Sequence, residues 1–125
     1  MNPIIGIDHP AIAADNLESL ARWYNEVLGY EKYFFDEGKN VWILKSPDGT
    51  FLEMMQKDQT ARPQRTVLSP GFSHLALRVS NLEEAMAYLN GHNVKWIGEV
   101  VGAIGGGQLC SFEDPEGNML QVVAR

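Results

Sequence analysis

The sequence predicts an α+β fold: two tandem βαβββ modules forming an eight-stranded, curved, mixed sheet with the helices on its outside. Three observations carry this reading. The segment IDHPAIAADNLESL from Ile7 matches FSHLALRVSNLEEAM from Phe72, so that His9 falls on His74 and Asn16-Leu17-Glu18 falls on Asn81-Leu82-Glu83, 65 positions on. The segment SPDGTFLEMM from Ser46 matches DPEGNMLQVV from Asp114, placing Pro47 on Pro115, Gly49 on Gly117 and Glu53 on Gln121, 68 positions on. Within each copy the apolar period switches from strand to helix and back to strand, which marks one repeated supersecondary unit. The change of offset requires three extra residues in the second copy, and the glycine-rich segment Gly102 to Gly107 is where they are expected.

The elements follow in chain order. A first strand is expected from Ile4 to Ala13. Asp15, three residues before Glu18, resembles a capping box, and Leu17, Leu20, Ala21, Tyr24, Val27 and Leu28 recur at spacings of three and four, one apolar helix face. Gly29 suits the helix stop. Strands are expected at Glu31 to Phe35, Val41 to Lys45 and Thr50 to Gln56, with Pro47-Asp48-Gly49 as the turn between the last two. Residues 57–70 have no period and two prolines and read as a linker between modules at 4–56 and 71–125. The second copy has a strand from Phe72 to Val79, a capping box at Ser80 and Glu83, and a helix face of Leu82, Ala85, Met86 and Leu89 stopped at Gly91. Strands then follow at Lys95 to Val101, Gln108 to Glu113 and Asn118 to Ala124.

Composition narrows the function classes. A chain of 125 residues fits one domain with a core of its own. Cys110 is the single cysteine, so no intrachain disulfide forms, which suits a reducing cytosol. The start, MNPIIGIDHP, lacks the basic and apolar regions of a signal peptide, and no apolar run approaches the roughly 20 residues that cross a bilayer. A cytoplasmic protein is expected. The net charge of −6, without a Lys/Arg cluster, argues against nucleic acid and membrane partners and leaves a small molecule.

Side-chain alternation selects the candidate site. His9, Ala11 and Ala13 share one strand face, opposite Asp8, Pro10 and Ile12; His74, Ala76 and Arg78 share a face opposite apolar Leu75, Leu77 and Val79. Phe51, Glu53 and Met55 form one face of a closing strand, as do Met119, Gln121 and Val123 in its repeat. Glu53 and Gln121 are polar residues in the middle of apolar strands, and a buried carboxylate needs a partner: a metal ion, a histidine, or an arginine such as Arg78. The sequence gaps exceed any local metal motif, so the symmetry of the repeat carries the inference. If a pseudo-two-fold axis relates the modules, His9, Glu53, His74 and Gln121 can meet a divalent ion of the Zn, Ni, Co, Mn or Fe type. Arg78 is a candidate for a substrate carboxylate or phosphate, and Trp42 and Phe51, with Phe35 and Trp96, for a pocket wall. His92 beside Gly91 suits a helix C-terminus, Cys110 is expected to be buried and inert, and Gly102 to Gly107 reads as either a lid or an ordinary loop.

With DHPAI, WYNEVLGYE, PDGTFLEM, SHLALRV and DPEGNMLQV in place, nearly the whole chain resembles the vicinal oxygen chelate superfamily, which includes glyoxalase I, epimerases, ring-cleaving dioxygenases and bleomycin-binding proteins. The resemblance implies one domain over residues 1–125, a homodimer, and a metal that stabilises an enediolate or oxyanion on a small α-oxygenated substrate, as in lyases and isomerases of glyoxalase type. Gln121 departs from the family, whose enzymes generally carry glutamate there, and an amide is no general base. Epimerase-like members hold two histidines, one glutamine and one glutamate, which points to Glu53 as the base from the other module. The same residues allow two alternatives. His9, His74 and Glu53 make a two-histidine, one-carboxylate set for an Fe(II) dioxygenase. The acidic chain also suits non-catalytic binding of a bleomycin-type antibiotic.

Overall fold

Both copies of the repeat fold as expected in the computed structural model, which describes residues 1–125, and each builds its own sheet. The first unit spans Met1–Thr60 and holds β1 (Ala11–Ala14), α1 (Leu17–Leu28), β2 (Glu31–Asp36), β3 (Val41–Lys45) and β4 (Phe51–Gln56). The second spans Ala61–Arg125 and holds β5 (Leu75–Arg78), α2 (Leu82–Asn90), β6 (Lys95–Gly102), β7 (Gln108–Glu113) and β8 (Met119–Ala124). The strand orders, β1-β4-β3-β2 and β5-β8-β7-β6, are the same topology twice. The first strand of each unit lies parallel to the last, and the other pairs are antiparallel. All eight strands are therefore present, hydrogen-bonded as two mixed sheets of four.

The register shows how deep the duplication runs. Glu53 lies opposite Ala11 on one side and Ile43 on the other. Gln121 lies opposite Ala76 and Ser111, the repeat counterparts of those two residues. The three-residue insertion is also visible. Asp36 pairs with Val41 around four residues, 37–40, whereas Val101 pairs with Leu109 around seven, 102–108. Arg125 ties this longer connection down, donating from Nη1 to the carbonyls of Ile104 (2.6 Å) and Gly106 (2.9 Å).

Each helix packs on one face of its own sheet. Leu17, Leu20, Ala21, Tyr24 and Val27 of α1 are buried, as are Leu44, Leu52 and Met54 of the sheet it packs on; each buried leucine, valine or methionine contributes about 1.5–3 kcal/mol. Leu28, expected on the same face, is only half-buried. In the second unit Leu89 of α2 is buried, and Cys110, Phe112, Leu120, Val122 and Val123 are the buried apolar residues of the sheet. Leu82, Ala85 and Met86 are half-buried, so this helix face is correct but shallower.

Three local expectations need correction. The helix N-caps are Asn16 and Asn81, not Asp15 and Ser80. Asn16 accepts from the Ser19 N–H at 3.0 Å and Asn81 from the Glu84 N–H at 2.9 Å. Asparagine caps as well as aspartate or serine, so the polar pairs Asp15-Asn16 and Ser80-Asn81 left the position open by one residue. Gly29 takes the left-handed conformation at φ 76° as a helix stop should, but Gly91 stays right-handed and the left-handed residue is Asn93, at φ 58°. Finally, the first strands begin late, at Ala11 rather than Ile4 and at Leu75 rather than Phe72. Pro10 has no N–H to give a ladder; its carbonyl accepts the Glu53 N–H at 3.0 Å, and Ile4, Ile5 and Ile7 before it are exposed.

Candidate functional site

The late start of β1 shapes the site of the first unit. Glu53 lies mid-way along β4 on the face away from buried Leu52 and Met54. The hydrogen bond from its backbone to Pro10 brings the preceding residue alongside, and His9 Nε2 stands 2.5 Å from Glu53 Oε2. The other ring nitrogen, Nδ1, stands 2.7 Å from Asp8 Oδ2. The two inner side chains are partly shielded, at 34% and 29% exposure, while Asp8 is 92% exposed. Asp8, His9 and Glu53 thus form a relay with one acid on each imidazole nitrogen. Sequence reasoning missed Asp8 because a strand drawn through Ile4 to Ala13 puts residues 8 and 9 on opposite faces. Outside the ladder that alternation does not apply. The adjacency of an aspartate and a histidine was the available signal.

The relay favours the protonated ring. The Asp8 hydrogen bond raises the His9 pKa above its ordinary 6.5; desolvation opposes it, and the charge of Glu53 adds to it. His9 therefore contributes stability that is fully present below about pH 6.5 and is lost as pH rises through the raised folded value. A ¹H–¹⁵N NMR titration of the metal-free protein is expected to place the His9 midpoint above 6.5. A midpoint at or below that value would show that the two carboxylates do not hold the proton.

In the second unit His74 immediately precedes β5, and its Nδ1 lies 2.8 Å from Ser73 Oγ. Gln121 is 7% exposed and donates from Nε2 to Ser111 Oγ at 3.2 Å. A buried amide needs only hydrogen bonds, whereas the carboxylate at the matching place in the first unit has an imidazole beside it. Glu53 pairs with His9.

The candidate substrate contacts fall in different places. Phe51 shares the Glu53 face, its ring 5.5 Å from that of Tyr33. Trp42 does not: its cross-strand partners are Met54 and Phe35, and its indole N–H donates to Glu18 of α1 at 2.8 Å. Arg78 is exposed at the end of β5, on the strand face it shares with Ala76 beside Gln121. Trp96 donates to Asn90 Oδ1 at 2.7 Å, and His92 lies against Tyr88, ring centroids 4.8 Å apart. Cys110 is buried, which pushes its thiol pKa up and makes it inert at neutral pH.

His9 Nε2 and Glu53 Oε2, in direct contact, are a borderline nitrogen and a hard oxygen, donor types that a divalent ion takes from protein. Asp8 stands on the far side of the ring, so the relay offers two donors rather than a closed cage. No group of three or more histidine, cysteine or acidic side chains is placed to hold a metal ion.

A family model described as the Glyoxalase/Bleomycin resistance protein/Dioxygenase superfamily matches residues 6–122. The chain belongs to that superfamily. Solved structures agree with this membership. A glyoxalase family protein from Enterococcus faecalis is 28% identical with a TM-score of 0.77, covering 94% of this chain and 96% of that one. An integron cassette protein from the mobile metagenome of a Halifax Harbour sewage outfall has a TM-score of 0.77 at 23% identity, covering 98% and 100%. A lactoylglutathione lyase from Agrobacterium tumefaciens has a TM-score of 0.72 at 18% identity, covering 98% and 96%. These last two likenesses speak to the fold. No functionally curated protein matches the sequence. No helix of this glyoxalase-superfamily chain is long and apolar enough to cross a membrane.

Proposed function

We propose that the protein is a metal-dependent lyase or isomerase of glyoxalase type acting on a small α-oxygenated substrate, and that it works as a cytoplasmic homodimer. The observation that carries this reading is the 2.5 Å approach of His9 Nε2 to Glu53 Oε2. His9 and Glu53 are the donors of the first unit, and His74 and Gln121 those of the second. A bound divalent ion supplies Lewis-acid stabilisation to adjacent substrate oxygens. Glu53 takes the proton from the substrate carbon and returns it to the neighbouring one. An ion held by His9 would need the imidazole nitrogen free of its proton, as histidine ligands do. Phe51, on the Glu53 face, supports the apolar part of the substrate, and exposed Arg78 is suited to an anionic substituent.

Metal analysis of protein purified without a histidine tag tests the proposal. About one equivalent of divalent metal per site is expected, and its loss in the His9→Ala, His74→Ala double variant. A protein that resists loading with Zn²⁺, Ni²⁺, Co²⁺, Mn²⁺ and Fe²⁺ would overturn it and leave a metal-free binder of basic small molecules as the reading for this acidic chain.

A further inference from the structure

The two histidines share a feature beyond their place in the repeat. Each has its Nδ1 against the side chain of the residue just before it: Asp8 for His9, at 2.7 Å, and Ser73 for His74, at 2.8 Å. Asp8 and Ser73 are themselves repeat counterparts, 65 positions apart. In both units the histidine lies just outside the ladder, which begins at Ala11 and at Leu75, and this lets adjacent side chains meet. A contact between chain neighbours orders few extra bonds, so it persists at a modest entropic cost even where Asp8 is exposed. The two contacts differ in what they specify. A carboxylate only accepts, so it calls for a proton on Nδ1. A hydroxyl donates or accepts, so it sets the ring's orientation without choosing its tautomer.

We propose that Asp8 is a positioning residue: by accepting the Nδ1–H of His9 it keeps Nε2 turned toward Glu53, so that loss of the Nε2 proton leaves a lone pair aimed there, ready to act as a ligand. Histidine ligands are commonly oriented in this way by a carboxylate on the other ring nitrogen. The proposal rests on the metal reading above for its purpose, but not for its geometry. Ser73 holds His74 more weakly, so the first unit supplies the pre-set imidazole and the second an adaptable one.

Two measurements test it, one of them without metal. In metal-free Glu53→Gln protein, where the competing carboxylate is gone, histidine ¹⁵N shifts at a pH that leaves the ring neutral are expected to show His9 protonated on Nδ1. Adding Asp8→Ala is expected to move that proton to Nε2. A Glu53→Gln protein with His9 protonated on Nε2 would overturn the proposal. In protein that retains Glu53, calorimetric Co²⁺ affinity is expected to fall about 10- to 100-fold in Asp8→Ala and to recover largely in Asp8→Glu. It is expected to change less in Ser73→Ala. Equal affinity in wild type and Asp8→Ala would also overturn it. If the ¹⁵N shifts behave as expected while no variant, nor the wild type, takes up Co²⁺, the orientation of His9 by Asp8 stands and the metal reading fails.

Discussion

Gly107→Ala is expected to destabilise the protein by about 3 kcal/mol, lowering the midpoint of thermal unfolding by roughly 10 °C. Gly107 sits in the three-residue insertion at φ 92°, a conformation that alanine adopts only under strain. Space is the second obstacle. A Cβ there would stand 2.1 Å from the Ala124 carbonyl oxygen and 2.8 Å from the Arg125 Cα. Both are backbone atoms at the C-terminal end of the closing strand, so neither yields by rotating a side chain. The damage would also reach Arg125, whose guanidinium holds the connection by the carbonyls of Ile104 and Gly106. Gly106→Ala separates the two effects. Its φ is 116°, but nothing lies within 4 Å of the added carbon. Only backbone strain remains, about 1 kcal/mol. Equal midpoints for the two variants in differential scanning calorimetry would show that the close approach at Gly107 relaxes. The Arg125 contacts tie this segment to the residue that follows β8.

How far the sequence is legible depends on the length scale of the signal. The duplication is a long-range signal, and it located the succession of elements in each unit, the matched positions of Glu53 and Gln121, and the insertion before β7. The apolar periods located the α1 face to within Leu28. Legibility ended where the outcome turns on one or two residues. Asn16 and Asn81 cap the helices because neighbouring polar residues compete on nearly equal terms, and the choice depends on which side chain reaches the third N–H. Trp42 was expected on a pocket wall, but a one-residue change of parity relative to Glu53 sends it to the helix side, where Glu18 holds it. Asp8 was assigned to the wrong side of a strand because nothing local shows where a ladder stops. The proline that ends it was in view, yet Ile4, Ile5 and Ile7 continued the alternating pattern without any partner strand. The fold was therefore more legible than the site, since Asp8, His9 and His74 lie just before a strand begins.

Glu53→Gln is expected to lower kcat/KM by about 10²- to 10⁴-fold, the usual contribution of a positioned general base. The substitution keeps size and shape, and Glu53 is partly exposed, so stability should move by less than about 1 kcal/mol. His9 keeps its Asp8 contact, so the variant loses the Glu53 carboxylate alone, as proton acceptor and as proposed metal donor, and exchange is to be compared at equal metal content. Hydroxyacetone in D₂O provides a direct assay, because abstraction and return of a proton beside the carbonyl replaces hydrogen with deuterium, followed by NMR. Wild-type exchange in the variant would remove Glu53 from the role of base. A second substitution sharpens the assignment. Gln121→Glu places a carboxylate where enzymes of this superfamily generally carry one, and Ser111, now 3.2 Å from the amide, can donate to the new acid. If the two modules are interchangeable in chemistry as they are in register, Gln121→Glu added to Glu53→Gln should restore part of the exchange. If only the first unit holds a base in working position, the double variant should stay as inactive as Glu53→Gln. The first result would make the exchange of glutamate and glutamine between the halves a transposition of the base. The second would tie proton transfer to the half in which His9 already meets a carboxylate.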